Sequence, residues 1–326
     1  MPWIKDSTYP CPRFLTNGHL QTIFPALFRR VPVVTDVRER LELDDGDFID
    51  IDWFRPHHPS DKLVVLTHGL ESTARDSSVQ GMARAFALQG WNVAAWNFRG
   101  CSGEENRTLG SYHSGSSGDL GTVLIHAMNV TSSRKVALVG FSIGGNITLK
   151  YLGESSDAVD DRIVGAVALS VPCDLAASAL ELEAPGNRIY MRRFLQTLET
   201  KMIAKARRFP GQVDASLVRR MRTFREFDDT FTGPLHGFRD AQDYWRQCSS
   251  LFLLDRIRVP TLLINALDDP FLGKSCYPTD IAQDHQWLHL ETPTHGGHLG
   301  FVTFGRKGMY WSEERTLSFL QSPGSF

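Results

Sequence analysis

Five residues constrain this chain more than any others: Gly140-Phe141-Ser142-Ile143-Gly144, a G-x-S-x-G run. The apolar run Lys135–Val139 precedes it and the helix-compatible run Asn146–Leu152 follows. Strand, sharp turn and helix is the setting in which this motif lifts a serine above the end of a sheet. A side chain at position 140 or 144 would meet the neighbouring strand or helix, so both positions need glycine. The turn exposes Ser142 Oγ and points the amide of Ile143 into the same space. The same letters also occur in ordinary glycine-rich turns, so the reading depends on whether the chain supplies the partners such a serine needs.

The rest of the chain repeats the alternation. Lys62–Thr67, Asn92–Asn97, Lys135–Val139, Val164–Ser170, Thr261–Asn265 and Gln286–Leu290 are apolar runs of strand length. Most are continuous, as expected of parallel strands covered on both faces by helices. Helices are predicted over Val79–Leu88, Asp119–Val130, Ile143–Leu152 and Glu313–Gln321. The fold class is therefore α/β, a mostly parallel, doubly wound sheet with right-handed crossovers. The alternating segment Glu42–Phe54 predicts one or two antiparallel strands at the sheet edge.

From Pro172 to Leu254 the rhythm breaks into helical patterns with few strand signals. Within Asn187–Phe209, Met191, Phe194, Leu195, Leu198, Met202 and Ala206 recur at helical spacing. The expected organisation is a core from 1–171 and 255–326 with a helical cap, 172–254, inserted over the active-site end. The other face of that helix carries Arg188, Arg192, Arg193, Lys201, Lys205, Arg207 and Arg208. It reads first as a solvated face, and in a sharper form as a patch for anionic substrates or a membrane surface.

Composition removes several classes. A chain of 326 residues, 42% of them hydrophobic, can bury a large core. A net charge of -2 gives no electrostatic case for nucleic acid. No apolar run reaches the roughly 18 residues needed to span a bilayer, and the N-terminal residues lack a signal-peptide pattern. Peripheral membrane contact and oligomeric state stay open. Cys11, Cys101, Cys173, Cys248 and Cys276 are odd in number and lack C-x-x-C spacing, which reads as reduced thiols in a cytoplasmic protein. Neither histidine pair, His57-His58 or His295 with His298, has the further ligands of a zinc site.

A serine hydroxyl needs a base, a group to orient that base, and donors for an oxyanion. In this fold the chain order is Ser, then Asp or Glu, then His. After the strand Thr261–Asn265 come Asp268 and Asp269, which compete for the role of acid. Counting three residues from Ala266 and the Asp-Pro pairing favour Asp269; the other is a turn residue. The base is expected to be His298, with His295 as rival, because the glycine pair before His298 lets the loop carry its ring over the serine. The oxyanion donors are expected to be the amides of Ile143 and of Leu70, after the strand ending Val65–Gly69. His68 falls in the wrong chain order for a base and reads as structural. The predicted reaction is hydrolysis of a small-molecule acyl ester through an acyl-enzyme, with no metal or organic cofactor required. Thioester hydrolysis or acyl transfer would use the same triad. A non-catalytic ligand-binding protein of this fold is the alternative from another class, and the presence of all three triad residue types argues against it.

These residues resemble the α/β-hydrolase superfamily. Gly18–Ile23, Asn97–Gly103, Ser111–Gly115, Asn265–Pro270 and Gly296–Phe301, in that order, resemble the YheT-like hydrolases, the group shared by bacterial YheT and the mammalian abhydrolase-domain proteins one, two and three. The resemblance spans about residues 10 to 320. It implies a serine hydrolase of carboxylic esters or lipids with Ser142, an aspartate at 268 or 269, and His298 as triad. Anchored relatives carry an N-terminal hydrophobic helix that this sequence lacks, so the soluble bacterial branch is the nearer likeness. Gly18–Ile23 is expected to pack an N-terminal arm against the sheet rather than line the acyl pocket. Arg99 and Tyr112-His113 are expected to hold loop structure.

Overall fold

The continuous apolar runs become the parallel centre of one sheet. The computed structural model describes residues 3–35, 37–305 and 308–321. Its strands are β1 (Trp3–Ile4), β2 (Val37–Glu42), β3 (Phe48–Phe54), β4 (Lys62–Thr67), β5 (Asn92–Trp96), β6 (Lys135–Phe141), β7 (Ile163–Leu169), β8 (Thr261–Ile264) and β9 (Leu288–Glu291). They lie in the order β1-β9-β8-β7-β6-β4-β5-β3-β2. The chain runs parallel from β1 across to β5, and β3 and β2 close the far side antiparallel.

Successive residues divide between the two faces of the sheet, as the pleat requires. Val65, Leu138, Ala166 and Leu263 pack on one side with Leu120, Val123 and Ile147. Val64, Val139, Val167 and Leu262 pack on the other with Met82, Phe86 and Phe319. Each such side chain contributes roughly 1.5–3 kcal/mol by leaving water. The helices that supply them are α2 (Ser77–Ala87), α3 (Ser117–Thr131), α4 (Ile143–Ser155) and the C-terminal Trp311–Gln321, all preceded in the chain by α1 (Gly18–Phe28).

The alternating segment Glu42–Phe54 supplies one strand, β3, which is not at the edge; the edge strand on that side is β2, which lies before the segment and ends at Glu42. Asp50 and Asp52 of β3 are buried, and Arg40 and Arg38 of β2 donate to them in bidentate pairs. The alternation there is ion pairing across the two strands as well as exposure. The short strand β1 was not anticipated, because two residues carry no readable period. Nor was α1 read as a helix, since it contains Gly18 and Pro25, both poor helix formers. It forms because Asn17 Oδ1 accepts from the amides of His19 and Leu20 at its start.

Between β7 and β8 the described chain holds helices and turns and no strand, with α5 (Leu175–Leu182), α6 (Arg188–Arg208), a π-helical turn at Asp228–Thr232 and the helix Ala241–Cys248. Met191, Leu195 and Met202 of α6 face inward with Phe227, Phe231 and Phe271. The charged face of α6 differs from the one its period predicts. Arg188, Arg192, Arg193, Arg207 and Arg208 are exposed, but Lys201 and Lys205 are not on that face. Lys205 Nζ is buried and donates to Asn106 Oδ1 (2.8 Å), Thr108 O (2.7 Å) and Gly110 O (3.0 Å). Lys201 Nζ turns in to Glu71 Oε1 at 2.8 Å. Helical period marks a side chain as polar, not whether three acceptors wait opposite it. All five cysteines are free thiols, and no helix among the described residues is long and apolar enough to cross a membrane.

Candidate active site

Parallel pairing brings the carboxyl ends of β4, β6, β7 and β8 level: Thr67 lies beside Gly140, Phe141 beside Leu169, and Leu169 beside Ile264. Leu70, Ser142 and the Asp268–Asp269 turn leave the sheet from that row, and His298 follows the neighbouring strand β9.

Ser142 stands between β6 and α4 at φ 53° and ψ -123°, a strained conformation costing roughly 1–3 kcal/mol. Its N–H donates to Leu169 O (2.8 Å), and its carbonyl accepts from the amides of Gly145 (2.9 Å) and Asn146 (3.1 Å). A Cβ on residue 140 would collide with the backbone of Gly144 and Gly145, and one on residue 144 with the carbonyls of Thr67 and His68. The glycines are therefore required by backbone crowding on both sides of the turn.

The acid turn is tied to the end of β7 by Asn265, which accepts from Val171 N (2.7 Å) and donates to Val171 O (3.1 Å) and Cys276 O (2.7 Å). Beyond it the two aspartates part company. Asp269, with its side chain fully buried, lies 2.9 and 3.1 Å from His298 Nδ1 through its two oxygens, and its Oδ1 also accepts from Phe271 N at 2.9 Å. Asp268 faces the other way, accepting from Gly297 N at 2.8 Å and lying 3.1 Å from Nδ1 of the partly exposed His295. The chain thus holds two Asp–His pairs side by side, and only one reaches the serine.

His298 Nε2 is 2.9 Å from Ser142 Oγ. A carboxylate can only accept, so Nδ1 carries the ring proton toward Asp269 and Nε2 is left to accept from the hydroxyl. Phe271 covers the ring at a centroid distance of 4.3 Å. The loop bearing His298 is held in place by its backbone. Thr22 Oγ1 of α1 accepts from His298 N, and Ser170 Oγ accepts from Leu299 N, both at 2.9 Å. Leu299 and Phe301 sit at φ 59° and 42°, so this loop is strained as well as pinned.

Leu70 and Ile143 line the same cavity as Ser142 and His298. Ile143 opens α4, where amides lack helical partners and the helix dipole is positive. Gly69 runs so close that a Cβ there would stand 3.3 Å from Ser142 Cβ. His68 is fully buried; its Nδ1 lies 2.8 Å from Gly69 O and its Nε2 accepts from Phe98 N at 3.0 Å. Burial lowers it to about 3, so it stays neutral and fixes the loop.

The cavity is walled largely by the helical segment between β7 and β8, with Leu182, Phe194, Leu198, Met202, Phe227 and Phe231 among its apolar residues. His113 and His236 also line it; burial lowers them to about 3 and about 4, leaving both rings neutral. Several contributors were not singled out in the sequence. Thr22 sits in the Gly18–Ile23 run, which packs against the His298 loop and the acid turn rather than the sheet: a Cβ on Gly18 would strike the Asp268 carbonyl. Glu71 and Asp228 line the cavity too, as does Lys201, which the sequence placed on the charged face. Arg99 holds loop structure through Asp119 and Asp47, and Tyr112 does so through Glu71.

A family model described as alpha/beta hydrolase fold matches residues 62–304. The chain is 38% identical to the Escherichia coli (strain K12) protein "Putative esterase YheT", over 89% of this chain and 86% of that one. It is 28% identical to human "Phospholipase ABHD3", over 92% of this chain and 75% of that one. Among solved structures, a Pyrococcus furiosus esterase superposes with a TM-score of 0.59 at 16% identity, covering 87% of this chain and 89% of the other. At that identity it speaks for the fold alone.

Proposed function

The chain belongs to the α/β-hydrolase family, in its YheT-like group, and from that premise we propose that it is a serine hydrolase of carboxylic esters. The observation that carries the reading is the unbroken hydrogen-bonded run Ser142–His298–Asp269, with 2.9 Å at each link, opening on a mostly apolar cavity. The naming of relatives as an esterase and a phospholipase points the same way.

In this reading His298 Nε2 takes the Ser142 proton as Oγ attacks the acyl carbonyl. Asp269 holds the tautomer and stabilises the imidazolium that forms. The oxyanion accepts from the amides of Leu70 and Ile143, each worth roughly 3–4 kcal/mol. His298 then donates its proton to the departing alkoxide. Water, deprotonated by the same ring, attacks the acyl-enzyme; the bond from the acyl carbon to Ser142 Oγ then breaks, Oγ takes the proton back from His298, and the acid is released. The apolar wall takes the acyl chain. The test is labelling with a fluorophosphonate and turnover of p-nitrophenyl esters from acetyl to palmitoyl, each beside Ser142→Ala. Both are expected in the parent and lost in the variant. A folded parent that neither labels nor turns over any ester would overturn the proposal.

A further inference from the structure

A helix on a protein surface ordinarily turns its apolar side inward. Helix α1 does the reverse. Gln21 is fully buried; its Nε2 donates to Tyr9 Oη at 2.7 Å and to Cys11 Sγ at 3.4 Å, and its Oε1 accepts from Val302 N at 3.2 Å. Thr22 beside it accepts from His298 N and donates to Gly18 O at 2.7 Å. On the outer side Leu20, Ile23, Leu27 and Phe28 are exposed, and Leu20, Leu27 and Phe28 by more than half. Phe24 meets Phe28 at a ring-centroid distance of 5.0 Å and Phe304 at 6.0 Å, and Phe304 meets Phe14 at 5.8 Å. Phe14 and Phe304 are also more than half exposed. Rolling α1 to hide its leucines would strand the buried amide of Gln21, so the polar contacts beneath fix the apolar side outward. Contiguous exposed apolar surface of this kind marks an interaction site.

The charges around this face have one sign. Between Arg13 and Arg29 the sequence holds no Asp, Glu, Lys or Arg. Arg29 turns in to Glu313. Arg13, next to Phe14, and Arg30, two residues past Phe28, are exposed, and neither has an ion pair among the described residues. At the other end of α1, His19 stacks on Tyr190 of α6 and lies 3.2 Å from its Oη. That contact brings up the start of α6, with the exposed Arg188 and Ile189. An apolar ridge with unpaired arginines at its margins matches an anionic bilayer, in which phosphates overlie hydrocarbon. A second copy of the chain fits less well. A two-fold contact sets a patch against itself, and a rim of unpaired arginines would meet its own copy. We propose that the outer face of α1, with Phe14 and Phe304, docks this protein on anionic lipid surfaces. The docking helix is also the one whose Thr22 holds the His298 loop, yet the inference does not depend on the hydrolase reading.

Vesicle sedimentation tests it, with vesicles of phosphatidylcholine alone and with about 30 mol% phosphatidylglycerol added. The full chain is expected to partition at least about tenfold more strongly onto the anionic vesicles. Leu27→Glu combined with Phe28→Glu, at two exposed positions, breaks the apolar ridge and should lower that partition at least about tenfold. Arg13→Gln combined with Arg30→Gln should lower it about fivefold per arginine and leave binding to neutral vesicles unchanged. Circular-dichroism melts matching the parent's show that the variants are folded. No binding by the parent, equal binding to both kinds of vesicle, or binding that survives L27E/F28E overturns the proposal. Light scattering that finds a parent dimer, dissociated by L27E/F28E, overturns it as well, because the face then belongs to a second copy. No readout here needs turnover, and Ser142→Ala should bind as the parent does, so a failure leaves ester hydrolysis standing.

Discussion

Exchanging the two neighbouring aspartates for asparagine, one at a time, puts the site geometry under its sharpest test. In Asp269→Asn the amide oxygen should take the Oδ1 place, where Phe271 N–H donates at 2.9 Å. The NH2 group then falls where Oδ2 stood, 2.9 Å from His298 Nδ1. Two donors cannot face each other, so the imidazole must move its proton to Nε2, which lies 2.9 Å from Ser142 Oγ. In that tautomer the ring donates to the serine and cannot take its proton. The expected loss is about 10³–10⁴ in kcat, or about 4–5.5 kcal/mol at roughly 1.36 kcal/mol per decade, with KM little changed. Asp268→Asn keeps an oxygen for the Gly297 amide and loses only charge toward a histidine whose side chain is 32% exposed, an interaction worth about 0.2–1 kcal/mol. Its kcat should stay within about threefold. The assay is p-nitrophenyl butyrate turnover, with circular-dichroism melts to show that both variants are folded. A folded D269N keeping more than a tenth of parental kcat, or a folded D268N more impaired than D269N, would refute this assignment of acid and tautomer.

Three further outcomes follow from other contacts. Thr22→Val removes the oxygen that accepts from His298 N; kcat should fall several-fold with an almost unchanged melting temperature, and an unchanged kcat would remove α1 from the positioning of the base. Burial pushes the Asp228 carboxyl up to about 7, against about 4 in an unfolded chain. The native state keeps a proton that the unfolded chain has lost over that interval, so this group makes stability fall as pH rises from about 4 to 7, by a few kcal/mol at most. Urea titrations at pH 5 and 8 should show that loss in the parent and a smaller one in Asp228→Asn; parallel profiles would contradict it. Lys205→Met leaves Asn106 Oδ1 without its Lys205 donor, while Thr108 O and Gly110 O still accept from Asn106 Nδ2, and should cost about 2 kcal/mol, read as a lower urea midpoint; a midpoint equal to the parent's would show that the ammonium adds nothing net.

Much of this protein was readable from neighbours in the chain. The strand runs, the G-x-S-x-G turn and the order serine, acid, histidine depend on local sterics and on which strand end a loop leaves. Burial of a parallel strand on both faces writes a continuous apolar run, so Lys62–Thr67 was located to the residue. The last strand slid to Leu288–Glu291 because Glu291, paired with Arg315, does not look like a strand residue. The helix α1 was hidden because its stability comes from a cap and from packing on the His298 loop, not from its own propensity.

What only the folded chain decided were matters of direction. Asp268 and Asp269 sit in one turn with the same chemistry, and which carboxylate faces which histidine depends on the loop Gly296–Phe301, itself held by Thr22 and Ser170 from distant parts of the chain. Lys201 and Lys205 carried the same periodic signature as the exposed arginines, yet they turn inward because Glu71, Asn106, Thr108 and Gly110 lie opposite. A sequence states which groups a chain owns and, through its period, which face they share. It does not state what stands across the gap, and hydrogen bonding and desolvation are settled by that.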